Sequence, residues 1–225
     1  MVYSMSQYAT DLERCVSLSN EYFLNEPAGD RCVDVFGTNS QVILSAPHAV
    51  KHLSKDGHPK AADAATGGLA RFVCERTGFM AIVSSGGWTS ANANHVLDGW
   101  CPYRATLKEI KLSDSILVDL HGMSDKHGID VCIGTGPTPQ ASAEVVSFAI
   151  ENLKKAGLAV AVNTPFSASS PGTITAWAQQ NGFRAFQLEA SAALRHPWAD
   201  PQTSLYFAEA LSGLVEGLSN IYRLV

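Results

Sequence analysis

A chain of 225 residues, 46% hydrophobic and only 16% charged, has ample material for one large buried core, and the low charge leaves room for a homo-oligomer interface. The net charge of −5, without any Lys/Arg run, argues against a nucleic-acid groove or a face for an anionic membrane. No stretch has the length of a bilayer span, and the start "MVYSMSQYATDLERC" lacks a basic segment followed by an apolar block, so a soluble, cytoplasmic protein is expected.

In chain order, residues about 6–25 read as an N-terminal helix. Strands are expected at 31–36, 41–46, 79–84, 115–120, 130–135, 158–163 and 183–189. Helices are expected between them at 60–76, 104–111, 139–156 and 172–181, with a last one at 202–221. The strand runs are continuously apolar rather than cleanly alternating, which suggests coverage on both faces. Alternation of strand with helix predicts a single α/β domain over 1–225, a mostly parallel mixed sheet flanked by helices. The Gly- and Asn-rich run "SSGGWTSANANHVLDGWCPY" (84–103) is the longest irregular stretch, and its small residues suit a pocket wall. The cysteines, Cys15, Cys32, Cys74, Cys101 and Cys132, are odd in number and widely spread, which suits neither a disulfide framework nor a thiolate metal site.

The informative residues stand at the ends of strands. "QVILSAP" delivers His48, "SILVDL" delivers His121, "FRAFQLE" delivers Glu189 and "LAVAV" delivers Asn163. In open α/β sheets the carboxyl ends of strands line the ligand crevice. Two histidines and one carboxylate make a catalytic zinc site with an open position. Asp63, close in sequence to His48, is a candidate third ligand; its alternative is a first-turn carboxylate favouring a helix dipole. Glu189 is either a general base or one half of a buried ion pair with Arg195 or Arg184. Other chemistries fit less well. "HAVKH" has no Glu between its histidines, so it is not the HExxH zinc helix, and His52 is expected in a loop. "IVSSGG" lacks the first glycine of a nucleophile elbow. "GTGPTP" has prolines where a dinucleotide loop needs a glycine and a helix start.

The segments "ILSAPHAV", "KAADAATGGLA", "VDLHGM…HGIDVCIGTG", "NTPF" and "FQLEASAALR", in this order over about residues 40–196, resemble the N-formylglutamate amidohydrolase family. The resemblance implies a fold related to the zinc carboxypeptidases (zinc-exopeptidase-like) and to aspartoacylase-like deacylases. It further implies a hydrolase using one zinc ion per chain to cleave the amide bond of a small N-acylated amino acid such as N-formylglutamate. His48 and His121 would be the zinc histidines, with Asp63 as the acidic ligand and Glu189 activating water. Asn163, Arg195 and, more loosely, Arg104 would hold the substrate's carboxylate, the alternative for each arginine being an ordinary surface or structural ion pair; His127 either helps to orient substrate or is exposed, the second being favoured. The carboxypeptidase relatives place a glutamate three positions after the first histidine, where this chain has Lys51. Rival readings are a carboxypeptidase or a deacylase for another acyl group, a non-catalytic binding domain of the same fold, and a structural zinc.

Overall fold

The strands form where the apolar, β-branched runs stand. The computed structural model describes residues 5–23, 32–53, 58–86, 102–110 and 115–222. The elements in chain order are α1 (Met5–Phe23), β1 (Val33–Phe36), β2 (Asn39–Ala46), β3 (His52–Leu53), β4 (Pro59–Lys60), α2 (Thr66–Thr77), β5 (Phe79–Ser84) and α3 (Pro102–Ile110). There follow β6 (Ile116–Gly122), β7 (Val131–Gly134), α4 (Ala143–Lys155), β8 (Val160–Val162), α5 (Ile174–Gln180), β9 (Arg184–Ala190), α6 (Ala192–Arg195) and α7 (Pro201–Tyr222). Seven strands make one mixed sheet in the order β1-β5-β2-β6-β9-β7-β8, with β3 and β4 forming a separate hairpin. The central ladders β5–β2, β2–β6 and β6–β9 are parallel, whereas β1–β5 and β7–β9 are antiparallel. The expected α/β class is therefore the observed one. Among the described residues no helix is long and apolar enough to cross a membrane.

Side-chain alternation divides the two faces. Val42, Leu44 and Ala46 of β2, Val118 and Leu120 of β6, and Phe186 and Leu188 of β9 pack in the larger core with residues of α1, α2, α4 and α7. The intervening Ile43, Leu117 and Ala185 pack with Tyr103 and Leu107 of α3 and with Ile174 and Trp177 of α5. Each fully buried aliphatic or aromatic side chain stabilises by about 1.5–3 kcal/mol. On that second face the period of two continues into polar residues at the strand ends: Ser45, then Asp119 and His121, then Gln187 and Glu189. So the runs that read as continuously apolar carry a polar stripe on one side.

Two expectations shift. The helix expected over 60–76 begins only at Thr66, because Lys60 lies in β4 and Ala65 takes a left-handed conformation (φ 66°) that ends backward extension. His52, expected in a loop, lies in β3. The irregular run 84–103 falls, for 87–101, outside the described residues, as does Cys101.

Helices α1 and α2 approach so closely that a Cβ on Gly68 would lie 2.5 Å from the backbone N and Cα of Ser19. Backbone atoms cannot swing aside, so an overpacking cost of about 3 kcal/mol outweighs the ~1 kcal/mol of helix propensity gained. Gly68→Ala is thus expected to lower stability by about 2 kcal/mol in urea denaturation; an unchanged midpoint would contradict the close approach.

Candidate metal centre and active site

The site is assembled from three strand ends and one turn. β2 closes at Ala46 and releases His48 two residues later, while its parallel neighbour β6 carries His121 as its last residue but one. The chain then makes an excursion through the β3–β4 hairpin and returns, with the Asp63 amide donating to the His48 carbonyl at 2.8 Å. The Asp63 carbonyl accepts from the amide (3.1 Å) and hydroxyl (2.8 Å) of Thr66. Asp63 therefore sits in the turn ahead of α2, not in its first helical turn, and its carboxylate faces the ends of β2 and β6. The Gly122 amide donates to Asp63 Oδ2 at 3.1 Å and fixes that oxygen.

Three ligand atoms converge there. His48 Nδ1 and His121 Nδ1 are 3.2 Å apart, and each is 3.4 Å from Asp63 Oδ2. Ligand bonds of about 2.1 Å in a tetrahedral zinc site would space the donor atoms about 3.4 Å apart. The triangle is the one a small divalent cation requires, and these three residues could hold a metal ion. The far side of the ring is supported as well. His121 Nε2 lies 3.3 Å from Asp119 Oδ2. Asp119 is fully buried and accepts from the Ser45 hydroxyl (3.0 Å) and from the amide (3.1 Å) and hydroxyl (3.0 Å) of Thr175. A carboxylate behind a ligating imidazole sets which ring nitrogen faces the metal. His48 is braced differently, stacked on the buried His52 ring at 4.4 Å between centroids.

Electrostatics divides the two imidazoles. Burial opposes charge on His121, but Asp119 and Asp63 override it and raise its pKa well above the ordinary value. Burial lowers that of His48. Burial would raise Asp63, yet hydrogen bonds from His121 and His48 hold it below the usual carboxylate range. Protonated His121 thus places positive charge where a bound cation would sit, and its proton would be lost on such binding.

Glu189 lies beside His121 in register on β9. Burial, together with the nearby carboxylates Asp63 and Asp119, pushes its carboxyl up to about 7, against the pull of His121 and Arg195. Its Oε1 accepts from the Gln187 amide at 2.8 Å, and among the described residues it joins no ion pair with Arg195 or Arg184. Glu189, His48, Asp63 and His121 line one cavity of about 380 Å³, with Lys60 and the serine-rich segment 167–170 on its walls.

The other expected residues lie elsewhere. Arg195 is buried, and its guanidinium donates to the carbonyls of Ala64 (2.5 Å), Ala190 (3.0 Å) and Met123 (3.3 Å). Gly122 admits it, since a Cβ there would overlap the guanidinium; close approach rather than flexibility is what the glycine after His121 supplies. Arg104 donates to the Gly172 carbonyl at 3.4 Å and lies over the Trp177 ring. Asn163, left-handed at φ 59°, accepts from the Thr135 amide (2.9 Å) and hydroxyl (3.1 Å). His127 is half-buried and meets the Phe166 ring edge-on. Lys51 is exposed. Asp119, Gln187 and Lys60 escape the sequence reading, which expects His52 only as a loop residue, although Asp119 and Gln187 each stand two positions before a named strand-end residue.

The mixed α/β sheet, with this cluster at the carboxyl ends of its central strands, is similar in fold to metallo-carboxypeptidases. A metallo-carboxypeptidase from Burkholderia cenocepacia superposes with a TM-score of 0.52 at 11% identity, covering 98% of this chain and 70% of that one. The chain belongs to the N-formylglutamate amidohydrolase family, whose model matches residues 56–195, more than half of its length. That span holds Asp63, His121 and Glu189, and His48 precedes it. N-formylglutamate amidohydrolase from Ralstonia eutropha JMP134 superposes with a TM-score of 0.60 at 13% identity, covering 86% of this chain and 99% of its own. A bacteriophage poly-gamma-glutamate hydrolase gives 0.57 at 19% identity, with 86% and 93% covered. At these identities the likeness is one of fold. No curated protein matches the chain. Family and fold together make this protein a hydrolase of that family.

Two outcomes are expected. Between the ordinary carboxyl pKa and about 7, the native state keeps a proton on Glu189 that the unfolded chain has lost, so stability falls as pH rises through that window. In EDTA-treated protein Glu189→Gln removes this cost: it should stabilise by about 3 kcal/mol at pH 8 and by little at pH 4, read from urea midpoints at both pH values. Arg195→Met orphans three buried carbonyls and should cost about 2–5 kcal/mol with KM unchanged in the folded fraction. A raised KM at unchanged stability would instead assign Arg195 to substrate.

Proposed function

We propose that this protein is a metal-dependent amidohydrolase that removes the acyl group, formyl foremost, from a small N-acylated amino acid such as N-formylglutamate. The observation that carries the reading is the triangle of His48 Nδ1, His121 Nδ1 and Asp63 Oδ2, with sides of 3.2–3.4 Å, open towards a cavity that also presents Glu189. His48, Asp63 and His121 would hold one Zn²⁺ per chain, and a cation of that kind acidifies water and polarises an amide carbonyl. Two imidazoles and one carboxylate leave a fourth, open position, which distinguishes a catalytic from a closed structural site.

The protein's own groups then have separate tasks. Glu189, ionised, takes the proton of the attacking water and delivers it to the leaving nitrogen as the C–N bond breaks, giving the free amine and the carboxylate of the acyl group. A pKa near 7 suits a group that must both accept and return a proton. Gln187 keeps one carboxylate oxygen engaged, which orients the other towards the cavity. Asp119 and His52 hold the two imidazole rings from behind.

The test joins metal content to turnover. Purified protein should contain about one zinc per chain by elemental mass spectrometry, and His121→Ala and Asp63→Ala should lose it. Glu189→Gln should keep the metal while kcat/KM on N-formylglutamate drops about 10²–10⁴-fold. N-acetyl and γ-glutamyl amides assayed alongside rank the acyl group. A zinc-loaded protein that turns over none of them would leave a binding domain as the better reading, and a wild type free of metal after reconstitution would sink the mechanism.

A further inference from the structure

Resting on the amidohydrolase reading, we propose that Lys60 receives the free carboxylate of the substrate's amino-acid portion and so sets the direction in which substrate enters. Among the described residues that line the cavity, Lys60 is the one lysine or arginine. The arginines that residue type alone would suggest are engaged elsewhere: Arg195 on three backbone carbonyls, Arg104 on the Gly172 carbonyl and the Trp177 ring. Lys60 forms no ion pair with any carboxylate among the described residues.

Its placement is tied to the metal cluster. Lys60 pairs directly with His52 across the β3–β4 hairpin, and directly opposed residues of an antiparallel pair project to the same side. His52 stacks on His48, so the lysine stem and the first imidazole share one framework. At the catalytic end of the cavity Asp63 and Glu189 repel an anion, whereas the segment carrying Ser167, Ser169 and Ser170 adds neutral hydroxyls to its wall. An amide substrate with a free carboxylate therefore has one favourable orientation: acyl group towards His48 and His121, carboxylate towards Lys60. The ligand class is an N-acyl amino acid with its carboxylate unblocked.

The experiment is calorimetric titration of zinc-loaded Glu189→Gln protein, in which turnover is blocked, with N-formyl-L-glutamate and with its neutral diamide. Adding Lys60→Ala should weaken the dianion by about tenfold or more, and Lys60→Arg should hold it within about threefold, as a charge-assisted contact predicts. The diamide should bind both proteins alike. An unchanged dianion affinity in Lys60→Ala, or an equal loss for the diamide, overturns the assignment. Hydrolysis by the unsubstituted protein is measured in parallel, which separates the two readings. Lys60-dependent binding without hydrolysis refutes the proposed activity and keeps the carboxylate site; hydrolysis with Lys60-independent binding does the reverse.

Discussion

The structure is organised around the approach of two imidazoles and a carboxylate to within 3.4 Å of one another at the edge of a buried core. Such a cluster is costly in a low-dielectric setting unless its charges balance. Asp119 and Asp63 flank His121, and Glu189 lies beside it in register. This excess of carboxylates over imidazolium is what a divalent cation would neutralise. The topology follows from the same need. β2 and β6 must be parallel neighbours for both histidines to stand at the same end of the sheet, and β9 must adjoin β6 for Glu189 to stand next to His121.

Arg195 shows how that arrangement is locked. The carbonyls it binds belong to Ala64, next to Asp63; to Met123, two residues after His121; and to Ala190, next to Glu189. One planar, rigid donor group thereby ties together the three segments that carry the acidic and imidazole groups of the site. Gly122 lets the guanidinium lie directly against the chain between them. A buried cation at this spot also lowers the field of the carboxylates without entering the cavity.

Much of this was legible in residue order. His48, His121 and Glu189 announce themselves because each ends a strand run, and Asp63 follows His48 closely, second only to Asp56 among the carboxylates downstream of it. Asp119 was harder to see because "ILVDL" reads as one apolar run, and its role appears only when the period of two is counted back from His121. Gln187 stands in the same relation to Glu189. His52 was read against a helical i, i+4 template, whereas a turn and a hairpin bring it flat onto His48. Arginine identity carries no information on whether a guanidinium faces a ligand or the chain's own carbonyls. That depends on contacts between segments far apart in sequence, such as Ala64 with Arg195.

The exposed Lys51 has a wider consequence. With a glutamate at that position, as the carboxypeptidase resemblance would have it, both ligands would come from a single turn and the following segment would be free to vary. Here the acidic group is Asp63, and the chain must leave the site and return before it is delivered. The excursion between the two contains the hairpin that carries His52 and Lys60. Its return is fixed by the Asp63 amide on the His48 carbonyl and by Arg195 on Ala64. One segment thus supplies the carboxylate of the cluster, a brace for the first imidazole and a lysine on the cavity wall. Moving the carboxylate along the chain would couple the geometry of the proposed metal centre to the proposed recognition of substrate charge at Lys60, so a change in the hairpin would reach both at once.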